Sequence, residues 1–445
     1  MAEIAGRPYW QATFDRTGAL QDDSTGLVNA IAAADVDELF VFAHGWNTDE
    51  ADAADLIEEM FSLMAEAAAG VNLAGIGFLG VFWPSIWFPE APAASAPAVA
   101  LATRSGAPGQ ADVAVSGADI AASLAPSFHP RQRRTVWELG SLIDNGIAGA
   151  MARDVPDAVQ RANVERFHAQ LQTIVTDPTT APFDSGEAAL IRAPDPMDAY
   201  QKIATEMGST SPGLAAHDVG DIFEDIWNGA KSALRVASYY EMKGRAGTVG
   251  TNGLGPLLAA LHGTAPDVRV HLAGHSFGAR LVSFSLPGLD SSAASPVASL
   301  TLVQGAFSHW AFADASMPFG QAGPLVSFRD RVHGPVLSTF SEHDWAVGIW
   351  YPKASFLADD MVTMAQTAPQ WGGMGSDGAQ WVPGPAEPTL LAASGTPYGL
   401  RAGQFYRFDS NAVIADTSLS PFAGAHSDIR HPQVAWLPVC AAAGL

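Results

Sequence analysis

Gly274-His275-Ser276-Phe277-Gly278 is the one G-x-S-x-G in the chain, a spacing that can put a serine hydroxyl at the tip of a sharp turn. A serine hydroxyl is a weak nucleophile until a neighbouring base takes its proton, and that base needs an acid to orient it. In the chain order that accompanies this motif, the acid lies downstream of the serine and the histidine comes last. The strand-like run Pro335 to Phe340 ends just before Ser341-Glu342-His343-Asp344-Trp345. A carboxylate shortly after such a strand projects to the same sheet edge as Ser276, so Asp344 is the first choice for the acid. Glu342 is second, with Asp314 and Asp330 as distant alternatives. His426 stands in Gly424-Ala425-His426-Ser427-Asp428-Ile429, after the last expected strand. Its small neighbours suit a loop that must bring an imidazole to a crowded site, and His431 is the second choice.

Acyl transfer to a serine also needs N–H donors for the developing oxyanion, each contributing several kcal/mol of barrier lowering. The backbone N–H of Phe277, at the start of the helix after the serine, is one expectation. The other is the N–H of Trp46 in His44-Gly45-Trp46-Asn47, where a short apolar strand ends and Gly45 permits close approach; an Asx-type turn on Asn47 is the bland reading of that loop. His44, His275, His309, Trp310 and Trp345 are candidates for the substrate pocket, although His44 reads first as a structural hydrogen-bonding residue. The tryptophans Trp83, Trp87, Trp310, Trp345, Trp350 and Trp371 can line an apolar acyl pocket or fill cores.

A five-residue motif arises by chance in a chain with 43 glycines, so the elements around it carry the weight. Val268 to Ala273 reads as the apolar strand an elbow needs, and Phe277 to Ser285 as the helix after it. Side chains at Gly274 and Gly278 would collide with backbone in that turn. Upstream, Asp37 to Ala43 reads as a buried strand and Glu50 to Ala69 as a helix capped by Thr48 or Asp49. Gly77 to Trp83 is a second strand; strand, helix, strand in this space implies a parallel sheet. Helices are also expected over Ile222 to Met242 and Gly253 to His262, and strands over Ser299 to Val303 and 403–409.

Between the early strands and the elbow the β/α rhythm stops. Pro89 to about Pro126 is rich in Ala, Pro, Ser and Gly, and Arg131 to Asp177 is helical in pattern. The expected organisation is a core of residues 1–84 and 226–445, with a further excursion at about 352–400. Residues 85–225 form a largely helical insertion, in the position of a cap or lid over the carboxyl edge of the sheet.

Composition bounds the partners. There are 23 Lys plus Arg against 46 Asp plus Glu, a formal charge of −23, which argues against a nucleic-acid or anionic-membrane surface and disfavours a strongly anionic substrate. Apolar residues make up 48%, enough for a sizeable core. No apolar run is long enough to span a membrane. One cysteine, Cys440, allows no internal disulfide, and the first residues lack the pattern of a secretory leader. A cytoplasmic location is the simplest expectation; a secreted chain with its leader removed would read the same. No metal-ligand spacing, phosphate loop or dinucleotide-binding glycine motif stands out, so no metal and no cofactor are expected. No feature of the sequence speaks to oligomeric state.

These residues resemble the α/β-hydrolase superfamily. More narrowly, F-A-H-G-W-N-T (42–48), then F-W-P-S (82–85), Tyr239 or Tyr240 in a helix, and the Gly274–Gly278 motif resemble a bacterial group of α/β-hydrolases of unassigned function. The match covers about half the chain and departs from the pattern at the insertion after Ser85 and again between Asp344 and His426. The resemblance implies the α/β-hydrolase fold, a mostly parallel central sheet flanked by helices, and an ester-hydrolase type of activity, and it names no substrate. With Ser276, Asp344 and His426 as the catalytic set, the expectation is cleavage of a neutral, fairly apolar small-molecule or lipid-like ester. An acyltransferase or thioesterase would use the same three residues. A catalytically silent binding or scaffold protein on this fold is the expectation from another class.

Overall fold

The computed structural model describes residues 2–46, 48–85, 116–175, 193–208, 222–318, 320–347, 372–419 and 423–445. The chain divides into two compact units, one of Met1–Ser85, Lys243–Pro352 and Pro369–Leu445, the other of Ile86–Met242 with Lys353–Ala368. The second unit thus begins where the expected insertion begins and runs past the expected end at residue 225.

The first unit is α/β. Its strands are β1 (Ala2–Ile4), β2 (Arg7–Thr13), β3 (Glu38–Ala43), β4 (Ile76–Phe82), β5 (Arg269–His275), β6 (Val297–Val303), β7 (Val336–Phe340), β8 (Thr389–Leu390) and β9 (Phe405–Asp409). They form one nine-stranded sheet in the order β1-β2-β4-β3-β5-β6-β7-β9-β8, parallel except for the β1–β2 hairpin. Strands β3 and β4 are buried along their whole length, so they read as continuous apolar runs, as parallel strands covered on both faces must.

The helices, in chain order, are α1 (Ser24–Ala32), α2 (Glu50–Gly70), α3 (Gly117–Leu124), α4 (Arg133–Ala152), α5 (Asp157–Ile174), α6 (Pro196–Gly208), α7 (Ile222–Val249), α8 (Gly255–Thr264), α9 (Phe277–Phe284), α10 (Met374–Asp377) and α11 (Pro432–Ala443). Asp49 caps α2 by accepting from Asp52 N–H, and Glu50 and Asp52 add negative charge to its first turn. Helices α2 and α11 share one core with the β3 face that carries Phe40 and Phe42, together with Phe78, Leu337 and Phe408. Among the described residues no helix is long and apolar enough to cross a membrane.

The described part of the second unit is helical. Asp144 on α4 accepts the N–H groups of Gly117 and Ala118 at the start of α3. Trp227 is fully buried and donates to Gln160 of α5 at 2.9 Å.

Candidate active site

The carboxyl ends of β3, β5, β6 and β7 supply the site. Strand β5 ends at His275, and α9 opens at Phe277. Ser276 alone makes the turn, with φ +57° and ψ −121°, a region that costs a residue with a side chain of the order of 1–3 kcal/mol. Neighbouring backbone holds it there: Ser276 N–H donates to Val303 O at 3.0 Å, and Ser276 O accepts from Ala279 and Ala306. The turn also needs room. A Cβ on Gly278 would stand 2.1 Å from Ala43 O, and one on Gly45 would stand 2.9 Å from Ser276 Cβ.

Three of the residues singled out above meet. Ser276 Oγ donates to His426 Nε2 at 2.8 Å, and His426 Nδ1–H donates to Asp344 Oδ2 at 2.8 Å. All three are buried, Asp344 to 1% exposure, Ser276 to 5% and His426 to 9%. The alternatives point elsewhere. Glu342 is exposed, its N–H bonded to Asn411; His431 pairs with Asp428 at 2.8 Å; and Asp314 pairs with Ser316. Asp330 lies in a 3₁₀ turn, Val326–Arg331, well before β7.

The carboxylate of Asp344 accepts from three donors. Besides His426, Gln304 Nε2 donates to Oδ2 at 2.9 Å and Val347 N–H to Oδ1 at 3.0 Å. Gln304 was not legible as a site residue, because a single glutamine after a strand carries no signature of type or spacing.

Trp46 and Phe277, the two expected oxyanion donors, lie together, with ring centroids 6.0 Å apart. Trp46 directly follows Gly45, whose backbone faces Ser276, and Phe277 is the first residue of α9, where helix N–H groups point outward. Asn47, on which an Asx turn would be built, lies outside the described residues.

The pocket candidates have varied placements. His275 Nε2–H donates to the carbonyl oxygen of His426 at 2.9 Å, and the two rings lie 4.9 Å apart. Burial first, and the nearby His426 second, depress the His275 pKa to about 3, so this imidazole is a neutral support for the His426 loop. His44 is likewise neutral, its pKa depressed to about 4 by burial. It stacks on Trp83 with its Nε2 accepting Trp83 N–H at 3.4 Å, while the Trp83 indole donates to His44 O at 3.0 Å. His309 turns Nδ1 to Asp377 at 2.7 Å and packs edge-on against Trp310. Trp345 is half-buried beside Gly424. Trp87, Trp350 and Trp371 lie outside the described residues.

Among the described residues no three His, Cys, Asp or Glu side chains are grouped to share a metal ion. One depression of about 400 Å³ is lined by Arg134, Trp137, Glu138 and Arg166, another of about 350 Å³ by Leu63, Glu66, Ser394 and Pro432.

Chemically, the Ser276–His426–Asp344 chain can move a proton from the hydroxyl to the imidazole while the carboxylate stabilises the imidazolium that forms. Comparison with family models, curated proteins and solved structures gives no match to this chain.

Proposed function

We propose that the protein is a serine hydrolase of the α/β-hydrolase fold that cleaves a carboxylic ester through an acyl-enzyme on Ser276. The observation that carries this reading is the pair of 2.8 Å hydrogen bonds linking Ser276, His426 and Asp344, on a serine in strained backbone between strand and helix. In the proposed reaction, Ser276 Oγ attacks the ester carbonyl carbon as its proton passes to His426 Nε2. The carbonyl oxygen becomes an oxyanion facing the Trp46 and Phe277 N–H groups. The tetrahedral intermediate collapses, the C–O bond to the alcohol breaks, and His426 returns the proton to the departing alcohol. Water, deprotonated by His426, then attacks the acyl-serine; the acid leaves and Ser276 regains its proton.

A formal charge of −23 favours a neutral substrate over an anion. Turnover of short- and long-chain p-nitrophenyl esters, compared between the parent and Ser276→Ala, tests the proposal: hydrolysis by the parent alone supports it, and equal hydrolysis by both refutes it.

A further inference from the structure

Gln304 stands directly after β6, fully buried, with φ +46°, a backbone conformation unfavourable for a residue with a side chain. Its side chain reaches the acid: Nε2 donates to Asp344 Oδ2 at 2.9 Å, the same oxygen that accepts His426 Nδ1–H at 2.8 Å. The second Nε2 proton is directed at Gly375 O, 3.3 Å away. On the other side of the amide, Thr339 Oγ1 donates to Gln304 Oε1 at 2.9 Å and accepts the Gln304 backbone N–H at 3.0 Å.

These partners fix which way the amide points. Both neighbours of Nε2, a carboxylate oxygen and a backbone carbonyl, can only accept; a flipped amide would set Oε1 against them with no proton between. A side chain that merely filled this space would be cheaper as an apolar one, because a buried amide is unfavourable unless its hydrogen bonds are made.

Resting on the reading of Ser276 as nucleophile, we infer that Gln304 is a positioning residue, oriented by Thr339, that keeps the Asp344 carboxylate aligned on His426. A carboxylate held by His426 alone could rotate about its bond to Cβ. With donors from Gln304 and Val347 on its two oxygens, it is fixed in the plane that receives Nδ1–H, and the imidazole is held with Nε2 toward Ser276. His275 packs against the His426 ring and feels the charges of His44 and Arg430 as well; along the chain, Glu342 and His343 precede Asp344, and Asp428 follows His426 by two residues and pairs with His431, while Asp377 of α10 is turned to His309.

The test is the rate at which a fluorophosphonate probe modifies the protein, followed across pH. In that reaction the Ser276 Oγ–P bond forms, fluoride leaves from phosphorus and the serine proton passes to His426. Gln304→Leu removes the donor, and the maximal labelling rate falls about 10- to 100-fold with probe affinity unchanged, the scale of one hydrogen bond to a charged group. Gln304→Glu keeps the shape but sets a carboxyl oxygen against Asp344 Oδ2, and two buried carboxyls in contact share one proton; labelling stays near the parent rate while that proton is held and falls about threefold or more as it is lost, an alkaline limb that the parent lacks. Thr339→Val slows labelling in the same way, and Thr339→Ser restores it. Folded variants whose rate and pH profile both match the parent overturn the inference while leaving the Ser276 reading intact. If Gln304→Leu does not fold, Gln304→Glu and the Thr339 pair decide on the same criteria. A parent that takes no label overturns the Ser276 reading, and this inference with it.

Discussion

Asp344 and Gly424 face each other in an isolated antiparallel bridge that ties the acid's loop to the base's loop. Ala425 N–H donates to His343 O at 2.8 Å, and Trp345 N–H to Ala423 O at 3.1 Å. His426 lies two residues beyond the bridge, so the spacing between imidazole and carboxylate is set by main-chain hydrogen bonds and does not depend on side-chain packing alone.

The bridge makes Gly424 a sensitive position. Its φ is +59°, and a Cβ there would stand 2.2 Å from His343 O. Gly424→Ala is expected to lose about 3 kcal/mol or more of stability, from left-handed strain plus the clash, and to slow any reaction at Ser276. Gly403 is the control: its φ is +71° with nothing within 4 Å of the added methyl, so Gly403→Ala loses only about 1 kcal/mol. Denaturant unfolding of the two variants checks the contrast; equal losses would contradict it.

The two acids that spacing left in competition separate in the same way. Asp344→Asn is expected to lower the rate at Ser276 by about 10⁴-fold, because an amide neither stabilises the imidazolium nor holds its tautomer. Glu342→Gln, at an exposed position, is expected to stay within about twofold of the parent, as surface changes usually do. Steady-state ester kinetics of both variants reads the difference, and a large loss in Glu342→Gln would reverse the assignment.

Much of this arrangement was legible because its parts have strong local signatures. Strands β3 to β7 are short apolar runs, and Ser276, Asp344 and His426 follow from one motif and an order along the chain. The β1–β2 hairpin was not legible. Its turn is Ala5-Gly6, both at positive φ, and an alanine there lacks the Asn-Gly or Asp-Gly signature that announces such turns. Helix α11 also escaped notice: buried from Val434 to Ala442 and carrying Pro438 inside it, it has no polar face to produce a helical period. Gln304 and Thr339 belong to the site only through the register of β6 beside β7, which no local pattern encodes.

The buried imidazoles predict a pH dependence of stability. Burial pushes the pKa values of His275 and His44 down to about 3 and about 4, from 6.5 for an exposed imidazole. Between those values and 6.5 the unfolded chain binds more protons than the folded one, so their contribution is complete above about pH 6.5 and is lost as pH falls toward 3. The melting temperature should therefore drop between about pH 7 and about pH 4.5. His275→Gln can keep a donor to His426 O but cannot titrate, and its drop should be shallower than the parent's. Parallel curves for the two proteins would remove His275 as a source of the dependence.

The central claim is that Ser276 is an activated nucleophile. Fluorophosphonate labelling followed by peptide mass spectrometry tests it most directly, on the parent, Ser276→Ala and His426→Ala. One adduct is expected, on the peptide carrying Ser276, absent from Ser276→Ala and formed far more slowly in His426→Ala. Labelling that persists in Ser276→Ala, or a parent that takes no label, would contradict it.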